Sequence, residues 1–240
     1  MLRIFKSILR NSAKVVGLDI VRYRESPSST MLGLRALNIK TVIDVGANVG
    51  QFARSALRVF PKSKIYCFEP LGTPYNQLAL WANKQNGRVR CFNIALGDRA
   101  GQMTMYEHQE HTPSSSLLQA TDHCHDLYPQ TSKERISTIE INTLDEIIVR
   151  ETNNLEKNIL LKLDVQGFED RVLRGAESTL NMCSACIIEI NLDNLYKDQA
   201  DFHDIFTMVH RAGYSYAGNL EQVYDKDGRV VYFDAVFIKS

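Results

Sequence analysis

Apolar and polar positions change period repeatedly along this chain, and the changes predict strands and helices in alternation. From Thr41, the apolar pair Val42-Ile43 runs into Asp44, and a turn follows over Gly46, Ala47, Asn48, Val49 and Gly50. Phe52, Ala56, Val59 and Phe60 then recur at helical spacing until Pro61 stops them, and a second apolar run, Ile65 to Phe68, ends in Glu69. The unit reads strand, glycine turn, helix, strand, with an acid at the tip of each strand. A helical pattern over Thr73 to Lys84 closes at Asn86-Gly87, and Val89 to Leu96 predicts a third strand. Met103 to Tyr106 and Ile136 to Ile141 alternate like half-exposed strands, separated by a polar insert over about 107–135.

Farther on, Thr143 to Val149 predicts a short helix and Ile159 to Val165 a fourth core strand, and Phe168 to Leu180 carries one helical stripe. Cys186 to Ile190 predicts a fifth strand, Phe202 to Arg211 a helix, and Tyr214 to Tyr224 with Val230 to Ile238 a terminal hairpin. Strand and helix in alternation imply an α/β sandwich with a mostly parallel sheet, and the strand-only ending adds an antiparallel hairpin at one edge. Before this, residues 1–30 form a separate segment ahead of a domain over 31–240. Arg3, Lys6, Arg10 and Lys14 share one helical face there and Leu2, Phe5, Leu9 and Val16 another. It predicts a basic amphipathic helix packed on the domain or between copies, with peripheral membrane contact through residues 1–24 as the sharper alternative. Pro27 to Thr30 reads as a linker, and Met31 to Leu37 as a short helix.

Composition narrows the partners. Twenty-eight basic residues balance 28 acidic ones, which argues against a general nucleic-acid binder. No run approaches the roughly 18 apolar residues of a membrane span. Five cysteines without framework spacing read as reduced thiols in a cytoplasmic protein, and Cys183 and Cys186 form a CxxC with no second pair to complete a zinc site.

The chemistry concentrates at the glycine turn. A glycine turn after one strand, with an acid at the tip of the next roughly 20 residues on, holds a nucleotide-like ligand by its ribose. The turn here is D-x-G-x-N-x-G rather than GxGxxG, and Asp44 would stand against the pyrophosphate of a dinucleotide. A ligand carrying an ammonium and a sulfonium is attracted to the same acid. Asp44, Gly46, Asn48, Gly50 and Glu69 therefore make a candidate S-adenosylmethionine site, with Asn93, Ala95 and Leu96 placed to flank the adenine. A nicotinamide-dependent oxidoreductase is the alternative, and a degenerate binding module a third reading.

The ordered motifs DVGANVG (Asp44 to Gly50), FEP (Phe68 to Pro70), NIALGD (Asn93 to Asp98), SSSL (Ser114 to Leu117), TLDE (Thr143 to Glu146) and LKLDVQGFEDRVLRGA (Leu161 to Ala176) resemble the FkbM-type methyltransferases. The resemblance spans about 41–190. It implies a Rossmann-like class I methyltransferase fold, S-adenosylmethionine as donor, and methylation of a hydroxyl on a sugar, glycolipid or related natural product. Asp44, Gly46, Asn48 and Gly50 match its cofactor turn, and Glu69 its ribose acid.

A hydroxyl acceptor calls for a base. Asp164, at the carboxyl end of the fourth strand, is the first candidate, against a reading as cap of the following helix. Lys162 shares its strand face. Glu189 with Asn191 at the fifth strand tip is the second candidate, and Asp164, Glu189 and Asn191 also have the look of a Mg²⁺ ligand set, which is not the favoured reading. His108, His111, His123 and His125 crowd the insert with Cys124. Their spacing matches no standard metal motif, and a solvated polar face is the simpler account.

Overall fold

Ten strands carry the fold: β1 (Thr41–Val45), β2 (Lys64–Phe68), β3 (Val89–Phe92), β4 (Ala95–Leu96), β5 (Gly101–His108), β6 (Glu134–Asn142), β7 (Ile159–Leu163), β8 (Cys183–Asn191), β9 (Tyr214–Tyr224) and β10 (Val230–Lys239). The helices that cover them are α1 (Gln51–Val59), α2 (Gly72–Ala82), α3 (Asp122–Leu127), α4 (Leu144–Glu151), α5 (Glu169–Arg174), α6 (Glu177–Met182) and α7 (Phe202–Arg211). This computed structural model describes residues 12–15, 20, 26–151 and 155–240. The amphipathic helix and the membrane contact expected over residues 1–24 lie outside the described residues except at 12–15, which are helical, and 20. Among the described residues no helix is long and apolar enough to cross a membrane.

Seven strands form one sheet in the order β3-β2-β1-β7-β8-β10-β9. β1, β2, β3, β7 and β8 run parallel, and β10 is antiparallel to both β8 and β9. That is the expected α/β architecture with an antiparallel edge hairpin. β1 and β7 are buried at every residue because both sheet faces are covered, which explains their near-continuous apolar runs. On one face Val42, Leu160, Ile187 and Val236 pack with Ala53 and Ala56 of α1 and Leu78 of α2. On the other, Ile43, Leu161, Ile188 and Phe237 pack with Val172, Leu173, Ile205 and Val209. The chain leaves β1 toward β2 and β3 and comes back on the other side at β7. The carboxyl ends of β1 and β7 therefore flank the crevice in which open α/β sheets take their ligands.

Three predicted elements come out differently. The third strand breaks at Asn93, and β4 leaves the main sheet to pair with β6 in a second sheet of order β4-β6-β5. The helix over Phe168 to Leu180 is two helices with a step at Gly175-Ala176. A side chain at Gly175 would place its Cβ 1.9 Å from the Gly97 carbonyl oxygen, so the close approach of the helix step to the turn after β4 requires glycine there. Pro27–Thr30 forms a helical turn capped by Ser26 rather than a linker, and runs into a 3-10 segment at Met31–Leu37.

One face of the main sheet changes character at a single level. Asp44 lies opposite Lys162 in register, Lys162 opposite Ile187, and Asp234 opposite Glu189. With a two-residue period, Val42, Leu160, Ile187 and Val236 give way to Asp44, Lys162, Asp164, Glu189 and Asp234 at the strand tips. The sheet thus ends in a charged layer directly above an apolar one.

Candidate active site

A cavity of about 530 Å³ opens over this charged layer, between the turn after β1, the tips of β2 and β4, the polar insert and the terminal hairpin. The turn is folded tightly against β7. Gly46 has φ +80°, and a Cβ there would fall 1.8 Å from the Asp164 carbonyl oxygen. Its N–H and that of Ala47 both donate to the Phe68 carbonyl, at 3.0 Å each, which ties the turn to β2. Asn48 adopts φ +46° and donates its Nδ2 to Thr112 Oγ1 at 3.2 Å, joining the turn to the insert. Gly50, with φ +89°, starts α1 and packs on Leu78 rather than on the cavity.

Glu69 is 4% exposed and lies on the cavity wall. Its Oε2 accepts the Asn48 N–H and its Oε1 the Leu71 N–H, both at 2.8 Å. A carboxylate accepts about four hydrogen bonds, so each oxygen keeps a free acceptor site. Burial pushes this carboxyl up to about 7, against the two N–H donors that lower it, with Asp44 and Asp164 adding to the rise. Ile94, Ala95 and Leu96 form an apolar wall beside it. Asn93 is exposed and instead donates Nδ2 to the Glu69 and Pro70 carbonyls at 2.9 Å, which fixes the strand tip without reaching the cavity.

Asp44 is fully buried beneath the turn, and the cavity wall does not include it. Neither of its oxygens has a hydrogen-bond partner among the described residues. Burial raises it to about 6, opposed by the Lys162 ammonium, which faces it across the β1–β7 register. Lys162 is 6% exposed, lines the cavity, pairs with Asp164 Oδ2 at 2.6 Å and lies 5.5 Å over the Phe52 ring. Burial works against its charge, but Asp164, Asp44 and Asp234 together hold the ammonium above its ordinary range.

Asp164 lines the cavity, and Gln166 Nε2 donates to its Oδ1 at 2.8 Å. The same Nε2 donates to Glu189 Oε1 at 2.7 Å, while Gln166 Oε1 accepts from the Tyr196 hydroxyl at 2.7 Å. Glu189 stands behind that amide and off the cavity wall. Burial, with Asp164, Asp234 and Glu169 nearby, raises it well above the carboxylate range. Asn191 is buried with an unpartnered Oδ1 and also lies off the wall. Asp164 and Glu189 are thus bridged by an amide rather than converging. Among the described residues no three histidine, cysteine or acidic side chains are grouped to hold a metal ion.

The insert reaches the cavity through Thr112, Pro113, Ser115, Ser116 and Leu117. Its histidines do not. His111 bonds Ser114 Oγ at 2.5 Å, His123 pairs with Asp193 at 3.0 Å, and His125 bonds Thr131 at 2.8 Å. His108 is fully buried, with Glu134 3.3 Å from its Nε2. Cys183 and Cys186 are buried and protonated, burial pushing Cys186 up to about 12. Sequence reasoning placed Asn93 to Leu96, Ile94 included, beside the adenine, but missed Phe52 and Asp234 as cavity residues. Phe52 was legible only as an apolar helix position, and nothing local marks Asp234.

The chemistry of this donor set fits S-adenosylmethionine. A turn without side chains to fill the cradle, a buried acid with two open acceptor sites, and an apolar slot beside it suit a ligand of ribose and adenine. The sequence model described as the methyltransferase FkbM domain matches residues 44–216. A 2-O-methyltransferase, NoeI, of Sinorhizobium fredii is 27% identical over 178 residues, covering 70% of each chain. A hexuronic acid methyltransferase, AglP, of Haloferax volcanii is 26% identical over 148 residues, 62% of this chain and 54% of that one. The crystal structure of a methyltransferase FkbM from Methylobacillus flagellatus superposes with a TM-score of 0.53 at 13% identity. It covers 84% of this chain, which spans 44% of that longer one.

Proposed function

The chain belongs to the FkbM methyltransferase family, and from that premise we propose that it methylates a hydroxyl of a sugar, glycolipid or related natural product. The donor is S-adenosylmethionine, and family membership removes the nicotinamide-dependent alternative. One observation carries the reading. Glu69, with one acceptor site free on each oxygen, and Asp164, at the tip of the switch-point strand, open onto the same cavity.

When bound, the donor supplies an electrophilic methyl on a sulfonium. Glu69 accepts the two ribose hydroxyls, Ile94, Ala95 and Leu96 flank the adenine, and Gly46 and Asn48 let the turn approach the ligand. Asp44, Gly50 and Asn93 act one step behind. Asp44 balances Lys162 beneath the turn, Gly50 starts α1, and Asn93 fixes the strand bearing Glu69. Asp164 is the proposed base for the acceptor hydroxyl, held in place by Lys162 and Gln166. Glu189 supports it through the Gln166 amide. A positioned base contributes roughly 10²- to 10⁴-fold to such a step.

Transfer of labelled methyl from S-adenosylmethionine to a panel of p-nitrophenyl glycosides tests this. Asp164→Asn is expected to lower kcat by about a hundredfold or more while S-adenosylhomocysteine still raises its Tm. Unchanged turnover would remove Asp164 as the base.

A further inference from the structure

The terminal hairpin reaches the cavity through three residues, Leu220, Glu221 and Asp234, and these are the residues of one β-bulge. Phe233 pairs with Gln222 and Ala235 with Asn219, so Leu220 and Glu221 together face the single residue Asp234. Regular alternation would turn Leu220 and Glu221 to opposite faces. The extra residue re-aims the strand, as bulges do beside binding sites, and brings both onto the cavity wall with Asp234. The hairpin also touches the 3-10 segment, where a Cβ at Gly218 would stand 3.3 Å from the Leu32 side chain.

Asp234 lines the cavity with Lys162 and Asp164. Among the described residues its side chain makes no hydrogen bond or ion pair, although Lys162, Asp164 and Glu221 all act on it and Glu189 lies opposite it in register. Burial raises it to about 6 against the pull of Lys162, so at neutral pH it is an ionised acceptor with no partner of its own. Phe52, beneath Lys162, gives the cavity an aromatic surface. An aromatic surface with a few fixed acceptors suits a ring that has one apolar face and several hydroxyls. The cavity wall as a whole carries Glu69, Asp164, Glu221 and Asp234 against Lys162 and Arg58. A carboxylate or phosphate on the acceptor would meet more like charge than unlike.

We propose that this bulge is the acceptor-recognition wall of the enzyme, in which Asp234 binds a hydroxyl of a neutral sugar neighbouring the one that Asp164 addresses. The inference rests on the hydroxyl-methylating reading above and adds to it the subsite and the charge class of the acceptor.

The test is methyl transfer to p-nitrophenyl glucoside, galactoside, mannoside, fucoside, rhamnoside and glucuronide, by wild type and by Asp234→Asn. A neutral glycoside is expected to be the best acceptor and the glucuronide a poor one. Asp234→Asn is expected to raise KM for that glycoside by about tenfold to a hundredfold, the effect of losing a hydrogen bond to a charged group. Its kcat should fall much less, and the S-adenosylhomocysteine shift should persist. If Asp234→Asn loses that shift, Glu221→Gln, an exposed position on the same bulge, carries the test with a smaller expected rise in KM. Transfer with unchanged KM in the variant, or preference for the glucuronide, overturns the recognition wall alone. Transfer to none of the glycosides overturns the sugar reading and this inference with it.

Discussion

Glu69 joins two loops and still has acceptor capacity to spare, which is the property a ribose site requires. Its neighbour in function, Gly46, is constrained twice, by φ +80° and by the Asp164 carbonyl 1.8 Å from where a Cβ would stand. Left-handed backbone alone costs an alanine about 1–2 kcal/mol, and the overlap forces the turn off β7 as well. Gly46→Ala should therefore lower Tm by roughly 2–8 °C in a chain of this size and abolish the S-adenosylhomocysteine shift in scanning fluorimetry. A variant that binds the ligand normally would mean that the turn is not the cradle. Glu69, Gly46 and Asn48 were legible in the sequence because their spacing from a strand end sets their position. Asp44 was legible as a strand-tip acid, but its direction was not. A two-residue period puts it on the face of Lys162, below the turn, and that face is known only once β7 is paired beside it.

At the scale of elements, apolar periodicity located the core strands, since burial on both faces leaves an unambiguous run in β1, β7 and β8. It failed where a contact distant in sequence decides the local shape. The helix pattern over Phe168 to Leu180 is continuous, yet the Gly97 carbonyl against Gly175 divides it into α5 and α6. Substituting alanine for glycine in a helical stretch ordinarily stabilises by about 0.4–1 kcal/mol. Here the opposite sign is expected. Gly175→Ala should shift the urea midpoint downward, and an upward shift would show that the close approach between the helix step and the turn after β4 is not rigid. The second sheet was unseen for a related reason, because β4 is two residues long and acquires its identity only by pairing with β6. The bulge opposing Leu220-Glu221 to Asp234 was likewise invisible, since a two-against-one count is a property of the pair of strands and not of either alone.

For the molecule as a whole, the buried carboxyls at and beside the sheet tips make stability depend on pH. Burial, the largest cause for each, raises Glu69 and Glu169 to about 7 from 4.5, and Asp44 and Asp234 to about 6 from 3.8. Over that window the native state binds more protons than the unfolded chain, so stability falls as pH rises. Glu189, also raised by burial, adds to this sense, whereas His108, lowered by burial, acts in the opposite one. The ligand-free protein should thus melt at a higher temperature near pH 5 than near pH 7.5. The shift produced by S-adenosylhomocysteine should grow over the same range, because ribose hydroxyls donate best to ionised Glu69. A ligand-free Tm that rises steadily from pH 5 to pH 7.5 would contradict this reading of the carboxyls.

The central claim is that Glu69 and the turn after β1 hold an adenosyl methyl donor. Isothermal titration calorimetry of S-adenosylhomocysteine at pH 8, with wild type and Glu69→Gln, tests it most directly. The account predicts one site per chain in the wild type and a Kd raised by about thirtyfold or more in the variant, as expected for loss of charge at two hydrogen bonds, with the circular dichroism spectrum unchanged. Equal affinity in the two proteins, or no binding to either, would contradict it.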